Sequence, residues 1–541
     1  MTANTTRQPC RMPGLLLPRG FNVAVTAALL AMVCAAPAAQ AQVSVDVNGT
    51  QLQWQGLVGV GRMPANQRDA FGETFGSISG LVANASTWQR SGNTYTGSFI
   101  ATPDRGYNVS GTIDYTPRLN TIDMVFTPAS LAASGLAQNQ IGLTLAQTTR
   151  LFEALPAGGT RAFSGLDPVR GGVATGGARA AAGGLPELPQ AFNGKLALDA
   201  EGVVVLADGS RLVSDEYGPS IYRFSAAGQF LGALPVAASV RPLRNGVTDY
   251  SSNNPTTGQP APSPTNPTYG RGNNQGFEGL SLSPDGRTLF VALQSAARQD
   301  GASTSAANRH HTRLFTYDIG NPDQITLKGE YVVRLPRFQQ GANTLVAAQS
   351  EILALSDSQL LILPRDSNGL NVGTQQSLLR RVDAIDISAA TNILGQPYEG
   401  QIAPAGVLNP AITPALYVPF LDINNATQLA RFGLSNGNIA GLSNLSEKWE
   451  GLALLPALDP AAPNDWFLFV ANDNDFVTTD GFQAGAVYDA GFNIDTMFLA
   501  YRVTITPVPE PGSLLLLAGG LLAVLFAARK RSRLRLLQRL R

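Results

Sequence analysis

Along the body of the chain, apolar and polar residues alternate with a period of two, in pairs of short runs joined by a turn. Residues 200–217 read AEGVVVLADGSRLVSDEY and residues 277–294 read FEGLSLSPDGRTLFVALQ. Each opens with an alternating strand containing Glu-Gly, reaches an Asp-Gly turn (Asp208-Gly209, Asp285-Gly286) and returns as a second alternating strand. That is the pattern of a β-hairpin whose turn needs the positive φ that glycine supplies. Weaker copies follow. Residues 350–366, SEILALSDSQLLILPRD, lack the glycine, and residues 449–475 begin Trp449-Glu450-Gly451 and end FLFVANDND with an insertion at the turn. The earliest copy, Ser79-Gly80-Leu81, has serine in place of glutamate and reaches IATPDRG (100–106) through a longer insertion.

Further strand-like runs follow the hairpins: IYRFSAAGQFLGALP after the Glu201 copy, RLFTYDI and GEYVVRLP after the Glu278 copy, RRVDAIDIS after the Glu351 copy and MFLAYRVTI after the Glu450 copy. Four antiparallel strands per repeated unit predict an all-β fold, a β-propeller. Five blades are visible, and a sixth is expected, hidden in 390–445 or 110–195. The last unit lacks a fourth strand, and WQGLVGVGRMP (54–64) has the shape of the fourth strands GEYVVRLP and GQFLGALP. It is expected to pair into the last blade and close the ring, which removes an exposed sheet edge. Residues 171–184 and 251–275 show no periodicity and read as loops. Gly 56 and Pro 35, about a sixth of the chain, fit a fold rich in turns.

Charge changes the picture. The chain is neutral overall, with 38 basic and 38 acidic residues, but three arginines and no acid precede residue 42, and seven cations close the chain after residue 528. Without these ten, 28 basic residues face 38 acids. Such a body repels a phosphate backbone, which argues against nucleic-acid binding, and welcomes a divalent cation.

The ends read as export signals. Arg7, Arg11 and Arg19 precede the apolar run FNVAVTAALLAMVC (21–34), and Ala39-Gln40-Ala41 fits a cleavage site, so residues 1–41 are expected to be a signal peptide removed by signal peptidase. A permanent anchor is the alternative. Cys10 and Cys34 lie in this segment, so the mature body has no cysteine. At the other end, Pro509-Glu510-Pro511 precedes sixteen uncharged residues, Ser513 to Ala528, and then Arg529-Lys530-Arg531. A helix over 513–528 would rise about 24 Å, enough to span with snorkelling flanks, and the basic tail 529–541 would stay cytoplasmic. This order of parts resembles the PEP-CTERM sorting signal, read by exosortase in bacteria that make exopolysaccharide. The resemblance implies a protein exported to the cell surface or matrix and held transiently in the inner membrane by this helix. A plain tail anchor is the alternative.

Chemistry is expected where the blades converge. Glu201, Glu278, Glu351 and Glu450 each start the first strand of a unit, so equivalent positions should meet at one end of the central channel. A tight turn pairing Leu206 with Arg211 would set Glu216 opposite Glu201, and Asp215-Glu216, Asp366, Asp473 and Asp475 would end second strands nearby, with Asp104 in the corresponding place of the first unit. Converging carboxylates repel one another unless a cation or shared protons relieve them. An oxygen-only cluster suits a hard cation, calcium above all outside the cell. The competing reading has each glutamate accept hydrogen bonds from a neighbouring blade and fasten the ring. Glu201, Glu278, Glu351, Glu450 and Asp104 are the candidate metal ligands, and Glu216, Asp215 and Glu278 the candidate catalytic groups. The sole histidines, His310 and His311, sit in a polar RHHTR stretch that reads as an exposed loop. A Ser-His-Asp triad and a His-based zinc site are thereby disfavoured.

The strings Asp104-Arg105-Gly106, Ser214-Asp215-Glu216-Tyr217-Gly218-Pro219, Gly276-Phe277-Glu278-Gly279-Leu280, Ser350-Glu351-Ile352, Trp449-Glu450-Gly451-Leu452 and Ala471-Asn472-Asp473-Asn474-Asp475 occur in this order. Together they resemble the family named for the esterase-like activity of phytase. The resemblance implies a secreted propeller that hydrolyses phosphate or other esters, with calcium. It divides the chain into a signal peptide (1–41), a phytase-like propeller (42–506) and a sorting segment (507–541). Two functions remain open: a metal-dependent ester or phosphoester hydrolase, and a non-catalytic surface protein that binds exopolysaccharide or another protein. A lactone hydrolase similar to the gluconolactonase propellers shares the carboxylate-metal logic of the first. Mass spectrometry of the mature protein should find residues 1–41 absent and, after exosortase processing, the segment beyond Pro511 absent too. Recovery of Cys34 or of the intact basic tail would contradict the corresponding half.

Overall fold

The computed structural model describes residues 43–169, 177–301, 303–321, 324–369 and 376–507. The expected signal peptide and the expected apolar helix over 513–528 lie outside these residues. Among the described residues no helix is long and apolar enough to cross a membrane.

Five antiparallel sheets form five blades of a β-propeller. Blade one consists of Gly80–Ser91, Thr94–Thr102, Arg118–Phe126 and Ile141–Arg150. Blade two consists of Ala200–Val205, Arg211–Asp215, Ser220–Phe224 and Phe230–Ala233. Blade three runs through Phe277–Leu282, Thr288–Leu293, His311–Asp318 and Thr326–Arg334, and blade four through Ala348–Ala354, Gln359–Arg365, Arg381–Asp386 and Leu416–Asp422. Blade five takes Trp449–Pro456, Asp465–Asn472 and Thr496–Pro507 from the end of the body and Thr50–Met63 from its beginning, with Val43–Asp46 as an outer fifth strand. The stretches with room for a sixth blade are used otherwise: Arg118–Phe126 and Ile141–Arg150 complete blade one, and Leu416–Asp422 completes blade four.

The ring closes as expected. Thr50–Met63 pairs with Thr496–Pro507 from Thr50 opposite Pro507 to Met63 opposite Thr496. Leu52, Leu57, Val58, Val60 and Met63 of this strand are buried. Between blades five and one, Phe126 meets Phe467 and Phe469 edge-on at 5.0 and 5.3 Å, and Tyr95 meets Phe467 edge-on at 5.0 Å. Such pairs add to area burial when offset or edge-to-face.

The inner strands of successive blades lie side by side around the ring, blade five meeting blade one. In blades two, three and five they approach so closely that a side chain one residue after the glutamate has no room, whereas blade four carries Ile352 there, against Gly279 of blade three. A Cβ on Gly202 would lie 2.6 Å from the Leu280 Cβ, and one on Gly80 2.1 Å from the Glu201 carbonyl oxygen. The glycine at this position in blades one, two, three and five is therefore set by the spacing between blades. In blades two to five the inner strand also carries one extra residue at this point, between Ala200 and Val203, Phe277 and Leu280, Gln349 and Ile352, and Trp449 and Gly451. Such a bulge turns a side chain out of its regular alternation.

The expected register of the Glu201 hairpin is off by one. Val205, not Leu206, pairs with Arg211. The Gly209 N–H donates to the Leu206 carbonyl and the Leu206 N–H to the Ser210 carbonyl, with Gly209 at φ 81°, so the loop is a turn extended by one left-handed glycine. With the bulge added, Ala200 faces Asp215, and the Glu216 N–H reaches the Asp199 carbonyl rather than a site opposite Glu201.

Deleting residues 43–64 should lower stability by several kcal/mol, through lost pairing with Thr496–Pro507 and lost apolar burial. Thermal or denaturant unfolding checks this, and an unchanged midpoint would contradict the closure.

Candidate functional site

Side chains from blades one, two, three and five come to one place. Asp104, Glu201, Glu278 and Glu450, four of the five expected ligands, line a single cavity of about 90 Å³. The fifth, Glu351, does not line it. Its Oε1 accepts from the backbone N–H of Leu280 in blade three and of Ile352, both at 2.9 Å, so this glutamate fastens one blade to the next. Blades two and three are stitched similarly by Ser214, whose hydroxyl accepts from the Gly202 N–H at 2.6 Å and donates to the Glu278 carbonyl at 2.7 Å.

The candidate catalytic residues part company. Glu216 and Glu278 line the cavity. Asp215 is turned into the backbone: its Oδ1 accepts from Asp199 and Tyr217 N–H at 3.1 Å each, and its Oδ2 from Gly218 N–H at 2.8 Å. Those bonds shape the turn at 215–218 and leave Asp215 out of the cavity. Asp366 is likewise engaged, accepting from Leu378 and Leu379 N–H at 2.5 and 3.1 Å.

Several residues of the site were not singled out from the sequence. Asp199, one residue before the inner strand of blade two, lines the cavity, and Arg105 holds it through a 2.8 Å ion pair and a 3.1 Å bond from its own backbone N–H. Lys448 supplies an ammonium to Asp473 and Asp475, and to Glu450 at 4.0 Å. Arg365 pairs with Glu450 Oε1, and Gln294 donates to Glu278 Oε1. Their one signal was adjacency to the repeated glutamates and to the ends of second strands.

Two carboxylate triads come within metal-ligating distance of each other's oxygens: Asp104, Asp473 and Asp475, and Asp199, Glu201 and Glu216. They differ in what neutralises them. Lys448 occupies the first. In the second, among the described residues, only Asp199 has a cation on it, and Glu201 and Glu216 are without an ion pair. Three buried oxygens around the cavity, Glu216 Oε1, Glu278 Oε2 and Glu450 Oε2, have no hydrogen-bond partner among the described residues.

Burial sets the electrostatics. It drives the carboxyl of Glu201 well above its ordinary range, helped by Glu278, and that of Glu278 likewise, helped by Glu216. Asp104 is pushed up by burial and by Asp473, whereas Asp473 is itself held low despite its burial, by the charge and hydrogen bond of Lys448 together with the Asp475 N–H and Glu450. Glu216 rises to about 8 through burial and the nearby Asp199, and Glu450 to about 7 through burial despite Lys448 and Arg365. Protonated, Glu216 donates to Asp199, so this pair shares one proton.

His310 and His311 are buried, against the expectation of an exposed loop, and their rings lie 3.9 Å apart at the start of the third strand of blade three. Burial lowers them to about 4 and about 3, so both are neutral bases near pH 7, and neither lines the acidic cavity.

The family described as esterase-like activity of phytase matches residues 73–476, and the PEP-CTERM protein-sorting motif matches residues 507–531. An uncharacterized secreted protein of Arthroderma benhamiae is 36% identical over 465 residues, covering 79% of this chain and 88% of that protein. Among solved structures, a gluconolactonase from Xanthomonas campestris aligns at 10% identity over 87% of this chain and 100% of its own, with a TM-score of 0.27. A luciferin-regenerating enzyme aligns at 9% identity over 80% and 92%, with a TM-score of 0.23. At such scores neither carries an argument about this chain.

The raised carboxyls give a pH dependence for the metal-free protein. Glu216 holds a proton in the folded state up to about pH 8 and Glu450 up to about pH 7, whereas both ordinarily lose it near 4.5. Between these values the folded chain binds more protons than the unfolded one, so stability is greatest at the acid end and falls as pH rises. In the presence of a chelator the unfolding midpoint should fall from pH 5 to pH 8. A midpoint rising over that window would contradict the protonation of this cavity.

Proposed function

This chain belongs to the phytase-like family, that of the esterase-like activity of phytase, and on that premise we propose that it is an exported, metal-dependent ester or phosphoester hydrolase. Its sorting motif implies processing by an exosortase-type enzyme. The reading places the mature protein at the cell surface or in the surrounding matrix, after removal of the signal peptide by signal peptidase and transient anchoring in the inner membrane.

The observation that carries the catalytic reading is the set of unpartnered buried oxygens on Glu216, Glu278 and Glu450 around one cavity. Buried polar atoms are nearly always satisfied, so orphans grouped in one cavity point to a missing partner. The donor set is all oxygen, which suits calcium. Glu201, Glu278 and the Asp199–Glu216 pair would hold the ion, since Lys448 already neutralises the other triad. The ion's chemistry is to offset charge developing on the ester oxygen and to favour ionisation of a water. Arg105 fixes Asp199, Arg365 and Lys448 fix Glu450, and Gln294 orients Glu278. With the ion bound, Glu216 and Asp199 would give up the proton they share, leaving Glu216 as the carboxylate able to take a proton from water and return it during hydrolysis.

Calcium should raise the melting temperature, by about 2.7 kcal/mol of stability at a concentration a hundredfold above its Kd. Glu278→Gln keeps volume and hydrogen bonding, so the fold should persist while the calcium response and hydrolysis of a phosphate or acyl ester are both lost. If Glu278→Gln unfolds the protein and the unaltered protein shows no calcium effect, the glutamates only fasten the ring. Calcium-dependent stability with no ester hydrolysed would favour the surface or exopolysaccharide-binding alternative.

A further inference from the structure

A second cavity, of about 690 Å³, opens beside the acidic one. The two share a wall: Asn108 lines the acidic cavity and the preceding residue, Tyr107, lines the larger one. Its other walls are loops of three further segments, with Phe192, Thr256 and the blade-five hairpin Gly481–Gln483 and Ala486–Tyr488. Its volume falls in the range of small-molecule sites.

The walls are held in place before any ligand arrives. Tyr107 stacks on Tyr488 at 4.0 Å with planes 10° apart, and the Tyr488 hydroxyl donates to the Phe476 carbonyl at 2.7 Å. The Thr256 hydroxyl donates to the Thr112 carbonyl at 2.7 Å, tying the loop of blade one to that before blade three. The Tyr107 N–H donates to Gln483 Oε1 at 2.8 Å, which fixes the orientation of that amide. Gln483 is 2% exposed and its Nε2 has no partner among the described residues, so the cleft is lined by an amide with a donor to spare.

Charge narrows the ligand. Asp114 is the one charged residue among those lining the cleft, and Lys195 neutralises it at 2.7 and 2.9 Å. The cations of the neighbouring cavity, Arg105, Arg365 and Lys448, are each bound to carboxylates. A polyanion finds no free cation here. Apolar surface is available instead, with Phe192 39% and Val487 83% exposed on the walls.

We propose that this cleft receives the uncharged, ring-bearing part of an ester whose reacting group lies in the acidic cavity, with Gln483 Nε2 donating to an oxygen of that part. The substrate class is then neutral ring esters rather than polyphosphates. This rests on the hydrolase reading of the neighbouring cavity, and the test separates the two. The probes are 4-methylumbelliferyl butyrate, its non-hydrolysable ether 7-butoxy-4-methylcoumarin, and myo-inositol hexakisphosphate.

The ether should bind the full mature protein in a fluorescence titration, and excess inositol hexakisphosphate should not displace it. Val487→Asp, at an exposed position that the fold does not need, should weaken ether binding by about tenfold or more by placing a charge on the cleft wall, with an unchanged melting temperature. Phe192→Ser provides a second variant and should weaken it as well. Failure of the ether to bind, binding indifferent to both variants, or displacement by the hexakisphosphate would each overturn the cleft. Ether binding without turnover of the butyrate ester would leave the cleft standing and overturn the hydrolase reading.

Discussion

Inner strands packed edge to edge around a five-bladed ring leave little space, and the structure depends on how that space is used. Glycine after the glutamate permits the approach, as at Gly202 against Leu280, and a one-residue bulge beside it redirects the neighbouring side chain. Repeated around the ring, the same device sends acidic side chains from several blades to one end of one channel. Carboxylates so gathered and buried cannot all ionise, because each charge is poorly solvated and faces its neighbours. Protons, basic side chains or a bound cation must answer them.

Basic side chains answer only part. Lys448 serves Asp473 and Asp475, Arg365 serves Glu450, and Arg105 serves Asp199. Glu201, Glu216, Glu278 and Asp104 are left without an ion pair among the described residues, and burial pushes each of them up. The same residues that make the cavity costly when empty of cations make it a ready oxygen cage for one. Function and architecture are thus divided between equivalent glutamates. Glu351 spends its carboxylate on the backbone of blade three, while Glu278 and Glu450 keep an oxygen free.

Much of the fold was legible because blades repeat. Two-residue alternation and Asp-Gly turns marked the hairpins, and the likeness of residues 54–64 to other fourth strands placed the N-terminal strand in the last blade. The register of the Glu201 hairpin was not legible, since neither the left-handed Gly209 extension nor the bulge leaves a mark in period-two alternation. The site was read in part. Asp104, Glu201, Glu278 and Glu450 follow from the repeat, but Glu351 has the same sequence position and another role, decided by the approach of Leu280 N–H. Asp199, Arg105, Lys448, Arg365 and Gln294 lie just outside the repeated glutamate position, and only the fold shows that they face the same cavity. The histidine pair looked polar in sequence because its neighbours are, yet blade three buries it.

The central claim is that a divalent cation completes the acidic cavity. The most direct test is diffraction from crystals of the mature protein grown with calcium, with anomalous scattering used to locate the ion. The account predicts an anomalous peak bounded by oxygens of Asp199, Glu201, Glu216 and Glu278, with Lys448 still on Asp473 and Asp475. A cavity holding only water at saturating calcium, or a peak confined to the outside of the blades, would contradict it.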